Sequence, residues 1–67
     1  MDELDPYALA HFLGCDQKWA DRLNHALQVS FMGHSILTAY LNGEDFASLN
    51  KSKLKEKCDL VITLAGA

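Results

Sequence analysis

Helix start and stop signals cut this chain into pieces too short for anything but small helices packed against one another. Asp5-Pro6, Gly14, Asp16, Gly33, Asn42-Gly43 and Asn50 punctuate 67 residues. Between them, apolar residues recur at helical rather than alternating spacing. An Asp-Pro pair starts a helix well: the carboxylate accepts from free first-turn N–H groups, and proline fixes φ where no donor is needed. Gly and Asn-Gly end one, because they adopt the left-handed conformation at low cost. "DPYALAHFLG" therefore predicts a first helix with Leu9, Phe12 and Leu13 on a shared face. Asp16 caps a second, "QKWADRLNHALQV", whose stripe is Trp19, Ala20, Leu23, Ala26 and Leu27. So short a connection makes these helices meet at a sharp angle or as a tight hairpin.

"SFMGHS" is expected to be a turn with Gly33 as its breaker. A third helix, "SILTAYL", then points Ile36, Leu37, Tyr40 and Leu41 inward and ends at Asn42-Gly43. "EDFASL" predicts a single helical turn offering Phe46 and Leu49. Asn50 caps the last helix, along which Leu54, Cys58, Val61 and Ala65 recur. Its "LVITL" segment is rich in β-branched residues, but a lone strand has nothing to pair with, so helix is expected. The expected fold class is all-α: a compact bundle of four to five short helices, one domain over 1–67.

A domain of this size buries only roughly 60% of its unfolded surface and commonly needs a staple or a partner. Cys15 and Cys58 can make one bridge at most, unlike a secreted cysteine framework. The opening "MDELDP" is acidic where a secretory leader is basic. No apolar run approaches the roughly 20 residues of a membrane span. These features lead to the expectation of a soluble cytoplasmic protein with reduced thiols and no membrane partner.

Charge carries the functional signal. The net charge of −3 disfavours nucleic acid, for which phosphate contacts supply most of the affinity. The charges are also segregated. Asp2, Glu3 and Asp5 make an acidic start, Glu44 and Asp45 an acidic turn, and Lys51, Lys53, Lys55 and Lys57 a basic block. Basic residues at a helix N-terminus oppose the helix dipole, a placement that costs a few tenths of a kcal/mol and hints at another use.

Reactive residues offer less. His11 and Cys15 have the spacing of two metal ligands on one helical face, but Gly14 ends the helix between them. Neither cysteine comes with the oriented partner or glycine-rich loop that nucleophilic catalysis uses. No catalytic residue, metal or cofactor is expected. Trp19, on an apolar face, is expected in the core, with an interface anchor as the alternative.

Leu41-Asn42-Gly43, Phe46-Ala47, Leu49-Asn50 and Leu54-Lys55-Glu56 together resemble the centre of a sterile alpha motif (SAM) domain. The register continues backward through Ala20, Leu23, Leu27, Val29, Met32 and Ile36, where that family has core positions. Asn42 stands where the family has Asp, Lys57-Cys58-Asp59 where it has Leu-Gly-Ile, and residues 1–15 lie outside the match. "YALAHFLG", "ILTAY" and "NGEDFASL" are similar instead to a death domain. Leu9-Ala10, Leu13-Gly14, Asp16, Ala20 and Leu23-Asn24 resemble a repressor-type helix-turn-helix, whose reading helix would carry Lys18 and Arg22.

The first two resemblances imply the same function: a non-enzymatic module that binds its own kind or related modules. The SAM likeness implies one contact surface at Asn42, Glu44 and Asp45 and the other at Lys51, Lys53, Lys55 and Lys57. An acidic surface meeting a basic one makes a head-to-tail contact, which polymerises when its rotation does not close. The expected partner is a protein, with a second copy of the chain as one candidate. The alternatives are a small DNA-binding regulator and a structural subunit of a larger complex.

Overall fold

Asp5 opens the first helix as its sequence predicts, its Oδ1 accepting from the N–H groups of Tyr7 at 3.1 Å and Ala8 at 3.3 Å. The structure, a computed structural model, describes residues 5–66. Helix α1 (Pro6–Leu13) ends at Gly14, whose φ of 74° is left-handed. The Cys15 N–H donates to Ala10 O at 2.8 Å and the Gly14 N–H to His11 O at 3.3 Å. This pairing satisfies carbonyls that the helix end would leave free. Asp16 then caps α2 (Gln17–Val29), accepting from the Trp19 N–H at 2.9 Å.

The next corner differs from expectation. "SFMGHS" is not a turn: one residue, Ser30, separates α2 from α3 (Phe31–Leu41). Ser30 closes one helix and opens the next. Its N–H donates to Ala26 O at 3.0 Å, and its Oγ accepts from the Gly33 N–H at 3.0 Å. Gly33 is not a breaker. It is helical and buried, because α3 and the last helix approach each other there. A β-carbon on Gly33 would lie 2.8 Å from Val61 Cγ1. The local signal for a stop was a long-range requirement for closeness.

The earlier start of α3 has a second consequence. Val29 and Met32, core positions in the SAM register, are 56% and 63% exposed. They stand at the open end where α2 meets α3.

Beyond Asn42 and Gly43, a 3-10 turn (Phe46–Ser48) drops Phe46 into the core, and Asn50 caps α4 (Lys51–Gly66) by accepting from the Lys53 N–H at 3.1 Å. The "LVITL" segment is helical throughout. Four α-helices and one 3-10 turn, with no strand among the described residues, make the expected small all-α bundle. Leu9, Leu23, Leu37, Leu41, Leu54, Cys58 and Val61 fill its centre and are almost wholly shielded from solvent. Each large apolar side chain so placed contributes roughly 1.5–3 kcal/mol of burial. Phe12, Trp19, Ile36 and Leu49 pack around them half-buried. Among the described residues, no helix is long and apolar enough to cross a membrane.

Candidate interaction surface

The residues singled out for partner binding gather at one end of the bundle, where α3 hands over to α4. Asn42 holds a left-handed φ of 49° while its N–H donates to Thr38 O at 2.9 Å. Gly43 follows at φ 78°, and the Glu44 N–H donates back to Leu41 O at 2.9 Å. These two left-handed residues reverse the chain sharply and leave the Asn42 and Glu44 side chains in water. Asp45 is tied more tightly. Its Oδ1 accepts from the Ala47 N–H at 3.2 Å, and its carbonyl accepts from Ser48 Oγ at 2.7 Å.

Phe46 anchors this turn to the first helix, its ring meeting Phe12 edge to face at 5.4 Å between centroids. Such pairs stabilise beyond the area they bury. The acidic loop is therefore a capped, anchored turn.

The four lysines fan around the first two turns of α4 and reach different neighbours. Lys51 Nζ lies over the Phe12 ring, 4.8 Å from its centroid. Lys57 Nζ lies over Tyr40 of α3 at 5.7 Å. Lys55 Nζ donates to Asp59 Oδ2 at 3.0 Å, the one salt bridge among the described residues. Lys53 is exposed and makes no ion pair among the described residues. The block is thus three lysines held by α1, α3 and Asp59, plus one left to solvent. Asp2 and Glu3, counted with the acidic start, lie outside the described residues.

Asp59 ties this basic start to α2. Its Oδ1 accepts from Trp19 Nε1 at 3.0 Å, so Trp19 is a half-buried packing residue with its polar edge satisfied. Partial burial alone would raise the Asp59 carboxyl. The hydrogen bonds from Trp19 and Lys55, with the charges of Lys55 and Arg22, outweigh it and hold Asp59 below its ordinary range. The same bond raises Lys55. The i, i+4 spacing of Lys55 and Asp59 is a local signal for their pair that the sequence reading did not use. The rings under Lys51 and Lys57, and the Trp19 bond, depend on helix packing and carried no local signal.

Elsewhere, His11 and Cys15 line one shallow cavity of about 250 Å³ with Tyr7 and Asp16. His25 borders a separate groove of about 360 Å³ between α2 and α4. No three His, Cys, Asp or Glu side chains gather as a metal ion needs among the described residues. Burial pushes the Cys58 thiol up to about 12, aided by the charges of Asp59 and Cys15 and opposed by Lys55. Lys18 and Arg22, the cations of a helix-turn-helix reading, are exposed on α2 with Asp21 between them, and Asp21 accepts from the Tyr7 hydroxyl at 2.8 Å.

No protein-family model, curated protein or solved structure matches the chain.

Proposed function

We propose that this chain is a protein–protein interaction module without catalytic chemistry, binding through the charged end where the Asn42–Asp45 turn adjoins the start of α4. One observation carries the reading: charges of both signs stand in solvent on a capped, anchored frame. Glu44 and Asp45 are exposed on the turn, and Lys53 is exposed without an ion pair among the described residues. Lys51 and Lys57 rest against rings, so their ammonium groups lose less freedom on binding than free lysines would.

An end that offers acid and base on adjacent elements suits a partner with the opposite arrangement. A second copy, rotated head to tail, has that arrangement. The SAM-like pattern of residues 41–57 supports the same pair of surfaces. The net charge of −3 favours a protein partner over nucleic acid.

Sedimentation equilibrium at low and at high salt tests the reading. The expected result is a mass that rises with concentration and falls as salt screens the contact. Lys53→Glu and Glu44→Lys should each weaken association with unchanged helical circular dichroism, and mixing the two variants should restore it. Unaltered association in both single variants would end the proposal that this end makes the contact.

A further inference from the structure

The opposite end of the bundle is apolar, and the local structure there gives no reason for it. Phe31 is 87% exposed, Met32 63% and Val29 56%. Phe31 and Met32 are the first two residues of α3, where free N–H groups and the helix dipole favour polar or acidic side chains. Ser30 alone supplies the cap. Two large apolar side chains in water at such positions imply a use outside the chain.

The position of this end follows from two contacts between α3 and α4. Lys57 lies over Tyr40 near the charged turn, and Gly33 meets Val61 farther along, so the two helices run antiparallel. Phe31 and Met32 precede Gly33, and Leu64, 37% exposed, follows Val61 by about one turn. All of them lie away from the acidic loop and the start of α4.

Charge selects the occupant. The chain has no Asp, Glu, Lys or Arg between Arg22 and Glu44, and none after Asp59. The apolar end is therefore built from two stretches of sequence without formal charge, and Asp21 and Arg22 border it in the groove they line with Ala65 and Gly66. Two copies of a face that carries charge of a single sign repel when they meet about a two-fold axis. A neutral apolar face escapes that repulsion. With Arg22 as the cation in that groove, this end also lacks the cluster of Lys and Arg that brings helical tips to anionic bilayers.

Area agrees with a weak dimer. The exposed parts of Val29, Phe31, Met32 and Leu64 amount to roughly 500 Å². Complete cover of that face in two copies would bury about 1,000 Å² in total, which reaches the lower bound for a specific interface. We propose that this end binds a second copy of the chain in a two-fold dimer centred on Phe31. The contact is separate from the charged end.

The test is sedimentation equilibrium of the full chain in molar salt at pH 8, where the charged-end contact is screened. A monomer–dimer equilibrium that stops at two is expected. Phe31→Asp should raise the dissociation constant about tenfold or more with unchanged circular dichroism. Phe31→Lys should do the same, and an equal mixture of the two, each also carrying Lys53→Glu to remove the charged-end contact, should regain the dimer at low salt, because residue 31 faces itself across the axis. A monomer at every concentration, a dimer indifferent to Phe31→Asp, or growth beyond two in molar salt would each overturn the proposal. So would a wild-type monomer that co-sediments with phosphatidylcholine vesicles, an outcome that assigns the face to lipid. Loss of the salt-sensitive contact in Lys53→Glu leaves this measurement unchanged, so the two contacts fail or stand independently.

Discussion

Gly33 and Val61 touch so closely that a β-carbon on the glycine would lie 2.8 Å from Val61 Cγ1. Val61 is β-branched and fully buried, so it has no rotamer into which to retreat. Gly33→Ala gains up to about 1 kcal/mol of helix propensity but meets an overpacking cost of about 1–3 kcal/mol. Net destabilisation of about 1 kcal/mol is expected in urea melts. Val61→Ala in the same chain should relieve the clash, so the double variant should be more stable than the two single costs predict. Strict additivity would mean that the contact is not what keeps residue 33 a glycine.

Asp59 gives stability a direction with pH. Its carboxyl is held below its ordinary value, so the unfolded chain takes up its proton first as pH falls. The stabilisation is complete above the unfolded value of about 3.9 and disappears as pH drops through the lower folded value. Asp59→Asn should therefore close its stability gap with the wild type across that acid window. The single tryptophan reports on it directly, because Trp19 Nε1 donates to Asp59 Oδ1. At neutral pH, Asp59→Ala should cost about 1 kcal/mol, since the carboxylate is half exposed and water screens its pair.

The two thiols should behave differently. Cys58 is fully buried with its thiol pushed up to about 12, so at pH 8 about one molecule in ten thousand carries the thiolate that reacts. Cys15 is half-buried and lines a cavity open to solvent. A colorimetric thiol titration should find one cysteine under native conditions and two in denaturant. Cys15→Ser should remove the native signal. Two thiols reacting at equal native rates would contradict the enclosed position of Cys58.

Asn42 should tolerate Gly and reject Val. At φ 49° it sits where glycine is unstrained and a β-branched residue is not. Asn42→Gly should change the thermal midpoint little. Asn42→Val should lower stability by about 1–2 kcal/mol while leaving the helical spectrum intact.

The caps were legible because a cap is a local device. Asp5, Asp16 and Asn50 each bond N–H groups two or three residues onward, and each marks a helix start where its residue type predicts one. The core stripes of α2 and α4 followed from spacing for the same reason. Gly33 misled because a glycine signals either a stop or a close approach, and only Val61, distant in sequence, decides which. That error moved the start of α3, and the SAM register separately placed Val29 and Met32 in the core, where the structure leaves them exposed. At the charged end, the sequence placed the lysines on α4 but not their neighbours. Phe12 lies under Lys51 and Tyr40 under Lys57 only through the packing of helices distant in sequence.

Ser30 sets a rule for how this chain can change length over evolution. A corner made from one residue has no slack. An extra residue there would rotate α3 by about 100° about its axis and carry it about 1.5 Å along, turning Gly33 from Val61 and Leu37 from the core together. The Asn42–Asp45 turn can absorb an insertion outward into solvent without disturbing either helix it joins. Among descendants of this sequence, indels should be purged at residue 30 and should accumulate in that turn, so the surface proposed here to meet a partner is also the part freest to diversify.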